Sequence, residues 1–338
     1  MKAVLVPPHS ADFAAFAALD PRTPAARQAE AGRLYDRYGR RAHWLLLERG
    51  RPIGRLTAAV SPALRGDDGR VVGCLGDLVL PDDEAGLAAL LGPAFHWLRS
   101  EGATRARAPI TYHTWYPFRF VTEGFDARPP FPGEPWNPSY QPARFAAAGF
   151  EESARYVSGA TEDLPSTVAA NRPELDAFEG GGLAVRPFDP RRFEAELPRL
   201  HALVSTAFPG NFSFQPIDLA EFRFVHEPAY RHLDPRLFLL CEDRSLPPGA
   251  PDGLAGFLLS FPDPTAPDTV VLKTIAVHPR FRGRGVGPVL IARAHEAAIA
   301  LGYRRAVHAL MREGRRPATV SARAVPVFRR YAVMERPL

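Results

Sequence analysis

The passage from residue 270 to residue 302 constrains the fold of this chain more than any other. Val270 to Val277 is a nearly continuous apolar run, as expected of a buried strand. It ends at His278-Pro279 and gives way to Arg280-Phe281-Arg282-Gly283-Arg284-Gly285-Val286-Gly287. Val289 to Leu301 then reads as an amphipathic helix, stopped by Gly302. Glycines at alternate positions let the loop expose successive amides, and the helix start adds unpaired donors and the positive end of its dipole. A pyrophosphate is the natural occupant, and Arg282 and Arg284 supply further charge for phosphates. A P-loop is excluded because Gly-Lys-Ser/Thr is missing. The dinucleotide fingerprint is excluded because the glycines fall at 283, 285 and 287.

A chain of 338 residues suits two domains of about 150 residues each. In the first half, His43 to Glu48 and Ile53 to Val60 read as a hairpin, and Leu75 to Leu80 as a further strand. Pro81-Asp82-Asp83-Glu84 starts a helix whose buried face is Leu87, Leu90, Leu91, Phe95 and Leu98. Arg105 to Ile110 is another strand. Tyr112 to Tyr140 is a long aromatic and proline-rich stretch, either functional or packed on a partner domain. Residues 161–182, with their acids, prolines and Gly180-Gly181-Gly182, have the composition of a linker. After it come a strand at Leu183 to Arg186, helices at Phe193 to Phe208 and Leu219 to Phe224, and strands at Leu237 to Cys241 and Leu254 to Phe261. The strand–loop–helix described above follows. Ala306 to Met311 is then a strand, Ala322 to Tyr331 a helix and Val333 onward a last strand. This is a mixed α/β arrangement on one sheet.

Composition removes other classes. No apolar run reaches 18 residues, so no membrane span is expected, and the start reads as a first strand rather than a signal peptide. Two cysteines in apolar surroundings, Cys74 and Cys241, agree with a reducing, cytoplasmic setting. The net charge is +5, yet only Lys2 and Lys273 are lysines, and the arginines are scattered without a nucleic-acid-binding signature.

The segment Arg282-x-x-Gly285-x-Gly287, directly after Ile275-Ala276-Val277-His278-Pro279, resembles the central motif of the GCN5-related N-acetyltransferase (GNAT) family. The resemblance covers about 155 residues from Leu183 onward, and implies that strand 270–277 splays from strand 306–311. It further implies that the pantetheine arm of acetyl-coenzyme A pairs with Val277 and that the thioester carbonyl meets the amide of Ile275. Ala276 lies between them, and the amides from Gly283 through Arg284, Gly285 and Val286 to Gly287 hold the pyrophosphate. The first half looks like the same fold in degraded form. Gly76 to Asp83 takes the place of the strand and loop without the glycine motif, so this half should not hold coenzyme A. The expected organisation is a tandem protein: a degenerate lobe 1–160, a linker 161–182 and an acetyl-CoA-binding domain 183–338.

The expected reaction is transfer of an acetyl or other short acyl group to a primary amine, on a small molecule or a protein, by direct attack and without a metal. The alternative is a non-catalytic acyl-CoA binding or sensing module. Aligning the final helix puts Phe328 where the family often has a proton-donating tyrosine, and leaves Tyr331, nearly one turn later, as its substitute. Strand 270–277 carries no acid to serve as base, and His308 on the neighbouring strand has a suitable pKa range. His278 is read as structural. Asn211, Phe212 and Phe214, with aromatics from 112–140, are the expected boundary of the acceptor site.

Overall fold

The computed structural model describes residues 1–338 except 9, 171–174, 176, 177, 179–181, 248, 251 and 315–324. The first half runs β1 (Lys2–Val6), α1 (Asp12–Ala18), α2 (Ala25–Tyr35), β2 (Arg40–Glu48), β3 (Arg51–Arg65), β4 (Val71–Val79), α3 (Glu84–Ser100), β5 (Arg105–Ala108), β6 (Phe120–Glu123), α4 (Tyr140–Ala147) and β7 (Glu151–Thr161). After α5 (Leu164–Ala170) come β8 (Leu183–Pro187), α6 (Phe193–Ala207), α7 (Leu219–Tyr230), β9 (Phe238–Asp243), β10 (Leu254–Pro262), β11 (Thr269–Val277), α8 (Val286–Ala300), β12 (Arg305–Arg312) and β13 (Val327–Pro337).

Local chemistry accounts for many of these boundaries. Arg49 and Gly50 both take positive φ, as a two-residue hairpin between β2 and β3 requires. The Asp83 carboxylate accepts from the Gly86 amide to cap α3, and the Asp218 carboxylate accepts from Glu221 at 2.9 Å to cap α7. Asp163 does the same for Ser166 at 3.1 Å, so part of the stretch read as linker is helix α5.

All described strands belong to one sheet, in the order β1-β2-β3-β4-β5-β13-β7-β12-β11-β10-β9-β8, with β6 beside β13. The centre is an exchange. The last strand of the chain, β13, pairs with β5 of the first half, while β7 of the first half pairs with β12 of the second. β7 and β13 pair with each other. Helices cover both faces. In the first half, α3 packs Leu87, Leu90, Leu91 and Leu98 on one face. Phe13 and Phe16 of α1, with Ala31 and Tyr35 of α2, pack in separate clusters with Leu45 and Ala59. In the second half, α8 packs Val286, Leu290 and Ala294 on Leu258 and Leu272. On the other face, α6 and α7 pack Leu200, Val204 and Phe222 on Phe257 and Ala276.

The expected helix 322–331 needs correction where it is described: residues 327–331 are the start of β13. Residues 322–324 lie outside the described residues. Arg329 and Tyr331 are buried while Arg330 between them is exposed, which is the period-two pattern of a strand. Pairing with β7 and β6, distant in sequence, decides the outcome over local propensity.

Two buried polar clusters tie the halves together. Glu221 of α7, fully buried, accepts from the hydroxyls of Tyr38 (2.8 Å) and Tyr116 (2.9 Å) and lies 3.2 Å from His113 Nε2. Glu134, in the loop after β6, pairs with Arg329 of β13 at 2.7 Å, both side chains fully buried.

Candidate active site

β11 and β12 run parallel and pair only from Thr269↔Arg305 to Leu272↔His308. Beyond that register they separate. β11 continues beside β10, while β12 bends toward β7, where the Leu310 amide donates to Ser158 Oγ at 3.0 Å. Leu310 takes a positive φ of 56° in this bend. The splay implied by the sequence resemblance is therefore present. In the first half the equivalent strands stay together. β4 and β5 pair from Val72 to Cys74, and the Ile110 amide still donates to Leu75 O at 2.7 Å. A Cβ on Gly76 would meet Thr111 Cα at 2.4 Å, so nothing fits between them.

The glycine loop lies at the open end of β11. His278 Nδ1 accepts from the Arg280 amide at 3.2 Å and starts a single turn, Pro279–Phe281, in the structural role read from sequence. Gly283 and Gly285 have φ of 83° and 77°, a conformation that costs a residue with a Cβ about 1–2 kcal/mol. Gly285 is the residue before α8. Among the described residues nothing accepts from the amides of Gly283, Gly285, Val286 or Gly287. A Cβ on Gly287 would lie 3.8 Å from Val277 Cγ2 and 3.9 Å from Ile275 Cδ1, so the loop sits directly against the strand. Gly256 of β10 makes that approach possible, because a Cβ there would stand 2.8 Å from Ala276 O and 2.9 Å from Val286 Cγ1. Free amides, left-handed glycines and a helix start thus form a cradle that fits a diphosphate.

The structure brings Ile275, Ala276, Val277 and Arg282 through Gly287 together around this cradle. Arg282 and Arg284 are exposed. Arg282 donates to Ala207 O, the last carbonyl of α6, at 3.2 Å, and Arg284 lies over the Phe281 ring at 5.4 Å.

The two side chains singled out for proton transfer lie elsewhere than expected. Tyr331 is on β13, buried, with its hydroxyl donating to Glu134 and lying 2.9 Å from Ser158 Oγ. Burial and the Glu134 charge push its pKa up. His308 is buried, with Nε2 3.1 Å from His295 Nε2 of α8, on the α8 side of the sheet. Burial lowers its pKa to about 4 and that of His295 to about 3. Phe328 is on β13 beside Arg128 and Arg329, not in a helix.

Asn211 is exposed in the loop between α6 and α7, and Phe212 lies between the guanidinium groups of Arg107 (4.6 Å) and Arg312 (5.4 Å). Phe214 of that loop and Trp115 of the aromatic stretch are packed ring against ring, 6.2 Å apart. The Trp115 indole also donates to Gln215 O at 2.8 Å, so this part of the stretch packs across the halves.

One residue of the splay was not singled out from sequence. Lys273 is the first residue of β11 past its pairing with β12. It is also the unmatched residue of a bulge, because Leu259 faces Thr274 while Ser260 faces Leu272. Its signal was its rarity, as one of two lysines in the chain.

Residues 197–319 match the model of the acetyltransferase (GNAT) family. The chain is 27% identical to a bacterial ceramide synthase of Caulobacter vibrioides over 197 residues, 57% of this chain and 50% of that protein. It is 25% identical to Protein YghO of Escherichia coli over 179 residues, 53% of this chain and 46% of that protein. The chain thus spans about half the length of these curated relatives. A tandem GNAT protein from the clavulanic acid biosynthesis pathway, solved without AcCoA, shares the fold with a TM-score of 0.53 at 14% identity, over 99% of this chain and 98% of that one.

Proposed function

We propose that this chain, a two-lobed member of the GNAT acetyltransferase family, transfers an acyl group from acyl-coenzyme A to a primary amine. The observation that carries the reading is the separation of β11 from β12 beside a glycine loop with free amides. The loop amides from Gly283 to Gly287 would hold the diphosphate, with Arg282 and Arg284 at its edge. The pantetheine arm would run along Val277, and the Ile275 amide would polarise the thioester carbonyl. The amine nitrogen attacks that carbonyl, the carbon–sulfur bond breaks, and the thiolate leaves and is protonated. Tyr331 is kept as the candidate donor for that proton, now from β13.

We propose acetyl or another short acyl group as the donor and a small molecule or a protein as the amine. The likeness to a ceramide synthase motivates a second donor class, a long-chain acyl-CoA with an amino-lipid acceptor. No described helix is long and apolar enough to cross a membrane, and Cys74 and Cys241 are free and buried. We propose a cytoplasmic location, which the two free, buried thiols support.

The test is thiol release from acetyl-CoA and long-chain acyl-CoA across amino acids, polyamines, aminoglycosides, peptides and sphingoid amines, beside calorimetry of coenzyme A. Turnover with one amine class supports the reading. Tight binding without turnover on any amine replaces it with a sensing module.

A further inference from the structure

We infer that Lys273 is the base that takes the proton from the acceptor ammonium before attack, an inference that rests on the acyl-transfer reading above. The bulge and the end of pairing put this residue at the apex of the splay. Its side chain lies on the face of the sheet opposite α8. Nζ donates to Gly133 O at 2.8 Å and stands 5.5 Å from the Phe131 ring, which packs with Val271, Val307 and Ala309. His308, one register step away, faces His295 on the other side. An acceptor that approaches the thioester from the face opposite the coenzyme helix meets Lys273.

The residue type matters as much as its place. Lysine and arginine total 42 residues, and two of them are lysines. Arginine stays charged at any working pH, whereas a lysine can be neutral and accept a proton. Among the described residues no carboxylate lies within ion-pair distance of the Lys273 amine to hold it charged. The groups that face it are the Arg119 guanidinium, from the residue before β6, and Glu134, from the loop that also supplies Gly133. Arg119 stacks on Phe118 and on Tyr156 of β7, at 3.7 and 4.0 Å. Glu134 is engaged by Arg329 and Tyr331 of β13. Burial, then the charge of Arg119, push the Lys273 pKa down to about 7, against the opposing pull of Glu134. A base titrating near neutrality is the most effective for this step.

The protons balance without any further reactant. The acceptor ammonium gives one proton to the neutral Lys273 amine, and the freed amine attacks the thioester carbon. The new nitrogen–carbon bond forms and the carbon–sulfur bond breaks; Tyr331 gives the departing sulfur a proton and its hydroxyl is restored by the second amine proton. Lys273 then returns its proton to solvent.

The few amines in the chain make the test direct. Trace labelling with fluorodinitrobenzene across pH, read by peptide mass spectrometry, reports Lys2, Lys273 and the N-terminus separately. Lys273 should label with a midpoint near pH 7, well below the roughly 10.4 of an ordinary lysine. In parallel, kcat/KM should rise tenfold per pH unit below about 7 and then level. Lys273→Met should lower kcat/KM by about 100-fold or more and remove that break, with coenzyme A affinity unchanged. Lys273→Arg, which keeps length and charge, should be equally slow. Wild-type turnover that persists with its pH break in Lys273→Arg, or a labelling midpoint near 10, overturns the inference and leaves the acyl-transfer reading standing. Absence of wild-type turnover on every amine overturns both.

Discussion

Gly287→Ala separates the coenzyme cradle from the fold that carries it. Gly287 is the second residue of α8, and its φ is not in the left-handed region. A methyl group there meets two side-chain carbons, Val277 Cγ2 at 3.8 Å and Ile275 Cδ1 at 3.9 Å, both ordinary contacts. Among the described residues nothing has to move. Alanine also favours the helix over glycine by up to about 1 kcal/mol, so the melting temperature should hold or rise by a few degrees at most. The same methyl fills the gap between the first turn of α8 and β11, where the pantetheine arm and diphosphate would lie. Coenzyme A affinity should fall at least tenfold, about 1.4 kcal/mol. Gly256→Ala is the contrast. Its Cβ stands 2.8 Å from Ala276 O, so it should lose about 1–3 kcal/mol of stability and coenzyme affinity together. Thermal scans beside calorimetric titration read both quantities. Gly287→Ala with wild-type affinity for coenzyme A would refute the placement of the ligand.

Two further outcomes follow from the buried charges. Glu134→Gln leaves the Arg329 guanidinium fully buried and unpaired, and should cost about 3–5 kcal/mol in denaturant unfolding; a loss below about 1 kcal/mol would count against that pairing. His295 and His308 are held neutral in the core with pKa values of about 3 and about 4, below the unfolded value. The unfolded chain therefore binds more protons as pH falls through about 6.5, and stability is lost from there down to about pH 4 for His308 and about pH 3 for His295. The slope from each histidine is on the order of 1.4 kcal/mol per pH unit, and a His308→Leu variant should flatten it in acid-unfolding curves.

Short-range chemistry made much of this molecule readable in advance. The apolar run to Val277, the alternate glycines and the helix stop at Gly302 lie within about 30 residues, and they assemble as expected. The hairpin at Arg49-Gly50 and the α3 cap at Asp83 are equally local. What failed was long-range. Val327 to Tyr331 reads locally as helix because its pairing partners, in β6 and β7, lie far back in the sequence. Once β13 is a strand, Tyr331 reaches Glu134 instead of standing on a helix. Helices α1 and α2 carry little local signal, and the hydrophobic contrast along α2 is weak. The setting of Lys273 is invisible locally because it comes from Gly133, Glu134 and Arg119, all more than a hundred residues away.

The central claim is that acyl-coenzyme A is held in the splay of the second half and nowhere else. Calorimetric titration of the purified chain with coenzyme A tests it through stoichiometry. One molecule bound per chain is expected, because β11 and β12 separate while β4 and β5 stay closed. Two molecules per chain, or none, would contradict it.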